Sequence, residues 1–299
     1  MSILVVGSVA LDTIETPFGK VAAVLGGSAS YFGISARQFS PVNMVAVVGR
    51  DFPSKHVQMF KKRGIDITGL EVKYGKTFRW HGAYTFDFNE ARTIATRLNV
   101  FGQFKPVIPD AYRRSRIVFL ANIDPDLQED VLAQIKAPKL VVSDTMNYWI
   151  EKKPKSLKRL LKRVDIFLLN DSEARQLTEE ANLFKAAEKI FKLGPKRVII
   201  KKGEHGALLF AKDSVFSTPA FLLEDVVDPT GAGDTFAGGF VGYLAKRGSV
   251  TDSALRKAMV YGSSMATFAV QDFSLNKLLT INKVDIERRV KEFKRLTHF

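Results

Sequence analysis

The residues with the clearest chemical promise form one string, Asp228-Pro229-Thr230-Gly231-Ala232-Gly233-Asp234-Thr235-Phe236. It follows the apolar pair Val226-Val227 and runs into Ala237, Gly238 and Gly239, small residues that open a helix. Two glycines around Ala232 permit a tight turn whose backbone N–H groups point one way, at the positive end of a helix dipole. Such a turn binds an anion. Asp234 is out of place there, because its carboxylate repels what the turn attracts. The arrangement makes chemical sense where that carboxylate takes a proton from a hydroxyl attacking phosphorus. The bland alternative is a Gly-rich turn with an acidic dipole partner, but the whole string is far more specific than Gly-x-Gly.

Two weaker patterns accompany it. Asn170-Asp171-Ser172-Glu173 has the Asn-x-x-Glu spacing of a capping box at a helix start. Lys201-Lys202-Gly203-Glu204-His205-Gly206-Ala207 follows an apolar run and reads as a glycine-bearing turn. The first apolar run continues Gly7-Ser8-Val9-Ala10-Leu11-Asp12 without Gly-x-Gly-x-x-Gly, which argues against a dinucleotide-dependent dehydrogenase.

The elements that must position these residues are short apolar runs alternating with helical patterns. The strand-like runs are Ile3–Val6, Val45–Val48, Ile117–Ala121, Leu140–Ser143, Ile166–Leu169, Val198–Ile200 and Ala207–Phe210. Helix-rich stretches fall at about 28–39, 54–63, 126–135, 155–163 and 171–193, then 231–246, 252–270 and 283–296. Continuous apolar strands alternating with helices predict an α/β fold with a doubly wound, mostly parallel sheet. No internal repeat or low-complexity linker divides the chain, so residues 1–299 are expected to form a single domain. One stretch departs from the pattern. From Phe78 to Phe88 alternate positions hold Phe, Trp, Gly, Tyr, Phe and Phe, a period of two that predicts a strand with one aromatic face. Turns are expected at Gly75-Lys76 and Asn89-Glu90, and a short hairpin about Pro17–Gly19. A small antiparallel β lid is therefore expected, its strands inserted at about 12–25 and 70–100.

Taken together, these motifs resemble the ribokinase-like (PfkB) carbohydrate kinase family. The Asp-Pro-Thr-Gly-Ala-Gly-Asp string fits that family's C-terminal signature at every position. The resemblance extends in order over nearly the whole chain, through Ile3–Gly7, Asp12, Gly26-Gly27 and Val48-Gly49-Arg50-Asp51. It implies transfer of the γ-phosphoryl group of ATP to an alcohol of a small polyhydroxylated acceptor, a sugar or a cyclic polyol such as inositol. In that scheme Asp234 is the general base, and Gly231, Ala232 and Gly233 form the anion hole. Asp12, Gly26 and Gly27 match acceptor-binding positions, and a carboxylate suits neighbouring hydroxyls. Asn170 and Glu173 match the motif that organises Mg2+ and phosphate, with Glu173 reaching the metal through water. Lys201, Gly203 and Gly206 match the nucleotide-binding turn. Asp228 and Thr230 match a monovalent-cation position, K+ being the ion implied. Asp144 and Asn147 resemble an Asp-x-Asn pattern of sugar kinases, with one extra residue between them. Tyr31 stands where the family signature has an Asn that helps to hold a sugar. Gly-Gly-x-Ala-Ser-aromatic with a short first lid element looks closer to the inositol kinase branch. Aromatic lid residues such as Trp80 and Tyr84 also suit a nucleoside kinase, which is the alternative enzyme; a non-catalytic sugar or nucleotide sensor is the other alternative. An intact Asp234 argues against the sensor. The aromatic face would suit a lid-to-lid homodimer.

Composition bounds the rest. The chain has 299 residues, 46% hydrophobic and 25% charged, in the range of ordinary globular proteins. Without cysteine there is no disulfide framework, thiolate nucleophile or cysteine zinc site. His56, His81, His205 and His298 lie too far apart to pair as metal ligands at close spacing. The net charge of +14 is spread along the chain, and its densest run, Lys152 to Arg163, reads as a solvated helix face. No nucleic-acid partner is expected. No apolar run approaches the ~18 residues of a membrane span, and Ile3–Leu11 lacks a basic leader. A cytoplasmic protein without a membrane partner is expected.

Overall fold

The computed structural model describes residues 1–88 and 91–297. Thirteen strands and ten α-helices are found among them. The strands are β1 (Ile3–Val6), β2 (Ala10–Thr16), β3 (Gly19–Gly26), β4 (Val42–Gly49), β5 (Ile65–Lys73), β6 (Arg79–Ala83), β7 (Arg92–Arg97), β8 (Ile117–Leu120), β9 (Leu140–Asp144), β10 (Ile166–Asn170), β11 (Arg197–Lys201), β12 (Ala207–Ala211) and β13 (Ser214–Thr218). The helices are α1 (Ser28–Arg37), α2 (Ser54–Lys62), α3 (Pro125–Gln134), α4 (Asn147–Lys152), α5 (Pro154–Leu161), α6 (Asp171–Thr178), α7 (Leu183–Phe191), α8 (Ala232–Arg247), α9 (Asp252–Ala269) and α10 (Lys283–Thr297).

Nine strands make one large sheet in the order β13-β12-β11-β10-β9-β8-β1-β4-β5. All pairs from β5 to β11 are parallel, and only the last two pairings, β11-β12 and β12-β13, are antiparallel. The alternation of side chains divides its strands between two cores. Ile3 and Val5 of β1 face the cluster under α1, α8 and α9, whereas Leu4 and Val6 face the cluster under α3, α5 and α7. Helices on both faces leave no polar side to the central strands, which is why they read as unbroken apolar runs. The small residues after the signature string allow close packing: a Cβ on Gly238 would stand 2.5 Å from the Phe32 carbonyl of α1. Among the described residues no helix is long and apolar enough to cross a membrane.

The remaining strands form a second sheet in the order β3-β2-β6-β7. The hairpin about Pro17–Gly19 is present as β2 and β3. The sheet is mixed rather than antiparallel, because β2 and β6 run parallel. β5, whose last residues fall in the stretch expected to form the lid, instead extends the large sheet beside β4. The aromatic alternation does not extend as one strand to Phe88. It stops pairing at Ala83, after a register shift between His81 and Gly82. The Trp80 ring lies over Gly82, where a Cβ would come within 2.0 Å of it. The turn expected at Asn89-Glu90 lies outside the described residues. The helix-rich stretch 171–193 resolves into α6 and α7, separated at Glu179, which takes a left-handed φ of 55°.

Candidate active site

Asp144, Asn170 and Lys201 are the last residues of three neighbouring parallel strands, so the sheet delivers them to one edge. The signature string reaches the same edge from the other direction. Gly231 caps α8 with φ 74°, and a Cβ there would meet the Tyr31 ring at 2.4 Å, so both conformation and space require glycine. The N–H of Ala232 donates to the Pro229 carbonyl at 3.2 Å. Among the described residues, those of Gly231, Gly233 and Asp234 have no carbonyl partner, leaving donors at the positive end of a sixteen-residue helix.

Cationic and anionic groups are interleaved around this turn. Lys201 Nζ lies 2.8 Å from Asp144 Oδ2, and a Cβ on Gly233 would stand 3.1 Å from the same ammonium. Burial disfavours the Lys201 charge, but Asp144, Glu173 and Asp234 outweigh it and hold its pKa above the ordinary value. Burial pushes the Asp234 carboxyl up to about 7, with Asp144 adding to the rise and Lys201 opposing it. Burial also raises Glu173 to about 7 against the pull of Lys201. The capping box is formed: the Asn170 N–H donates to Glu173 Oε2 and the Glu173 N–H to Asn170 Oδ1, both at 2.7 Å. Asn147 does not join this group; it heads α4, where its side chain accepts from the Tyr148 N–H.

Asp12, Gly26, Gly27 and Tyr31 assemble beside the turn. Gly26 leaves room for Asp12, since a Cβ would fall 1.8 Å from Asp12 Oδ2. Gly27 has φ 92° and approaches the Ser8 carbonyl. Asp12 is buried, and its Oδ1 has no hydrogen-bond partner among the described residues. Its pKa rises to about 7 through burial, against backbone N–H groups of Trp80 and Gly27 and with help from Asp228 and Asp234. Tyr31 is likewise buried with an unpartnered hydroxyl. Burial, then Asp228 and Asp12, push that phenol well above its ordinary range. Asp12 Oδ1 can accept a hydrogen bond from a hydroxyl, and Tyr31 Oη can give or accept one.

Asp228 and Thr230 have partners already. Asp228 accepts N–H groups of Thr230 (2.9 Å) and Ser274 (3.0 Å), and the Thr230 hydroxyl donates to Tyr84 Oη at 3.2 Å. Ser274 also donates its hydroxyl to the Leu25 carbonyl at 2.5 Å. Sequence reasoning missed Ser274 altogether; a serine in an irregular segment carries no signal of its contacts. It also missed the breadth of the neighbouring cavity, of about 680 Å³. Lys201, Ala232 and Gly233 bring the anion turn into its wall, beside Gly203 and Gly206. The remaining wall is largely apolar, with Phe221, Leu222, Phe236 and Val270, and Phe86 and Phe88 from beyond β6. Among the described residues no group of three or more acidic or histidine side chains forms a metal cage.

Known proteins share this architecture and these motifs. The family described as pfkB family carbohydrate kinase matches residues 2–281. The cytidine kinase of Thermococcus kodakarensis is 30% identical over 257 residues, covering 83% of this chain and 90% of that protein. The ribokinase of Lactococcus lactis is 27% identical over 284 residues, covering 89% and 91% respectively. The crystal structure of aminoimidazole riboside kinase from Salmonella enterica, complexed with aminoimidazole riboside and an ATP analogue, aligns with a TM-score of 0.78. Its sequence is 18% identical, and the match covers 97% of this chain and 100% of that one. With a family match over almost its whole length, the chain belongs to the pfkB family of carbohydrate kinases, ATP-dependent phosphotransferases with an alcohol as acceptor.

Proposed function

We propose that the protein transfers the γ-phosphoryl group of ATP to a hydroxyl of a ribose-bearing acceptor, a nucleoside or ribose itself. The observation that carries this reading is the pairing of a buried, unpartnered Asp12 oxygen with an anion turn that includes Asp234. Relatives aligned over most of the chain are named for cytidine and ribose, which share the ribose ring, and this favours that ring over inositol.

In this mechanism Asp12 and the Gly26-Gly27 backbone orient the acceptor hydroxyls. Asp234 accepts the proton of the attacking hydroxyl; a carboxyl with a pKa of about 7 is a stronger base than an ordinary aspartate. The new bond forms between that oxygen and the γ-phosphorus, and the bond to the β,γ-bridging oxygen breaks, releasing ADP. The free N–H groups of Gly231 and Gly233, with Lys201 nearby, stabilise charge on the transferred group. A Mg2+ bound with the nucleotide would neutralise phosphate charge. Asn170 and Glu173 would help to hold it through water, since no protein cage is found among the described residues. The Asp228 and Thr230 side chains have protein partners, so a K+ there would rest on their carbonyl oxygens. No step is assigned to it. The lid residues exclude water as a competing nucleophile.

The test is ADP release from Mg-ATP with cytidine, other nucleosides, ribose and myo-inositol, for the wild type and Asp234→Asn. Turnover should require a ribose-bearing acceptor and fall by about 10²–10⁴-fold in the variant. Turnover with myo-inositol alone, or an active variant, would refute the reading.

A further inference from the structure

The family match ends at residue 281, and α10 begins at Lys283. That helix nevertheless packs behind the large cavity, against two residues of its wall. The guanidinium of Arg289 stands 4.6 Å from the centroid of the Phe221 ring and 4.4 Å from that of Phe268. It also donates to the Thr267 hydroxyl, and its side chain is only 13% exposed. Phe221 and Thr267 line the cavity on different segments. Thr267 is anchored within α9, while Phe221 lies in the irregular stretch between β13 and α8, where no ladder fixes the backbone. Phe293, one helical turn beyond Arg289, packs against the same Phe221 ring at 5.8 Å.

We infer that Arg289 is a positioning residue for the donor nucleotide: by clamping Phe221 to α9 it sets the shape of the apolar wall that receives the base. This rests on the proposed ATP site. The phosphates are drawn to the anion turn and Lys201, so the apolar wall is what remains for the base. A guanidinium between two rings gains from both faces and has a planar shape that an ammonium lacks.

The test combines Arg289→Met, Arg289→Lys and Phe221→Leu with kinetics and binding. Titration of MgADP by calorimetry reads the whole site. Competition by inorganic tripolyphosphate, which has no base, reads the phosphate end alone. In Arg289→Met, KM for ATP and Kd for MgADP should rise about tenfold. KM for the acceptor, kcat and tripolyphosphate inhibition should move less than twofold. Arg289→Lys should recover part of the loss, and Phe221→Leu should repeat the pattern should Arg289→Met fail to fold. Unchanged MgADP affinity in a folded variant overturns the inference. So does parallel weakening of MgADP, tripolyphosphate and acceptor, which marks general loosening. A wild type that binds MgADP but phosphorylates no acceptor refutes the proposed reaction and leaves the wall testable by binding. A wild type that does not bind MgADP overturns both.

Discussion

Asp12, Glu173 and Asp234 each have a carboxyl raised by burial to about 7. For Asp234 the functional sign is simple: below that value it carries the proton it must accept. Log(kcat/KM) should therefore fall with decreasing pH below about 7, and a pH profile of the wild type checks it. The sign for stability is opposite. A carboxyl whose folded pKa lies above its unfolded value binds more protons in the folded state between the two. Its favourable contribution is complete below about 4 and lost as pH rises through about 7. Asp234→Asn, neutral at every pH, should match the wild type in thermal stability near pH 4. It should then gain on it steadily, reaching its full advantage, at most about 4 kcal/mol, above pH 7. Scanning calorimetry across pH measures the gap, and a constant gap would contradict the burial argument. Asp234 was legible in the sequence because a charge in an anion turn is a visible contradiction. Its neighbour Lys201 was legible only as part of a turn, and its ion pair with Asp144 crosses 57 residues without a local signature.

At the scale of elements, the turn before α8 depends on one residue without a side chain. Gly231→Ala forces a Cβ into the Tyr31 ring and strains a positive φ. It should cost about 1–3 kcal/mol of stability and lower kcat/KM by on the order of 10²-fold through displaced donors. Paired melting curves and kinetics check both. The strands of the parallel body were readable because burial on both faces leaves a continuous apolar string. β5 was not: at a sheet edge it is half-buried or exposed from Asp66 onward, with no continuous apolar run. The lid's mixed pairing was unreadable for a related reason. The period of two fixes which side chains share a face and says nothing of which strand lies alongside. The bulge at His81 and Gly82 then ends a pattern that the sequence continues to Phe88.

Over the whole molecule, the candidate site draws on positions from Asp12 to Ser274, nearly the full length of the chain. Ser274 concentrates this: one residue bonds Asp228 in the signature string and Leu25, 249 positions away, at the end of β3. Contacts that close such long loops form late, because the entropy of bringing the ends together is lost before they reward it. Catalytic activity should consequently return only with the slowest phase of refolding, lagging the recovery of helical signal. Stopped-flow dilution from denaturant, with fluorescence, circular dichroism and activity followed in parallel, checks the order. Ser274→Ala should slow that last phase or hasten unfolding while sparing the earlier ones. A nascent chain still on the ribosome would, on this topology, hold most of its sheet and none of its enzyme.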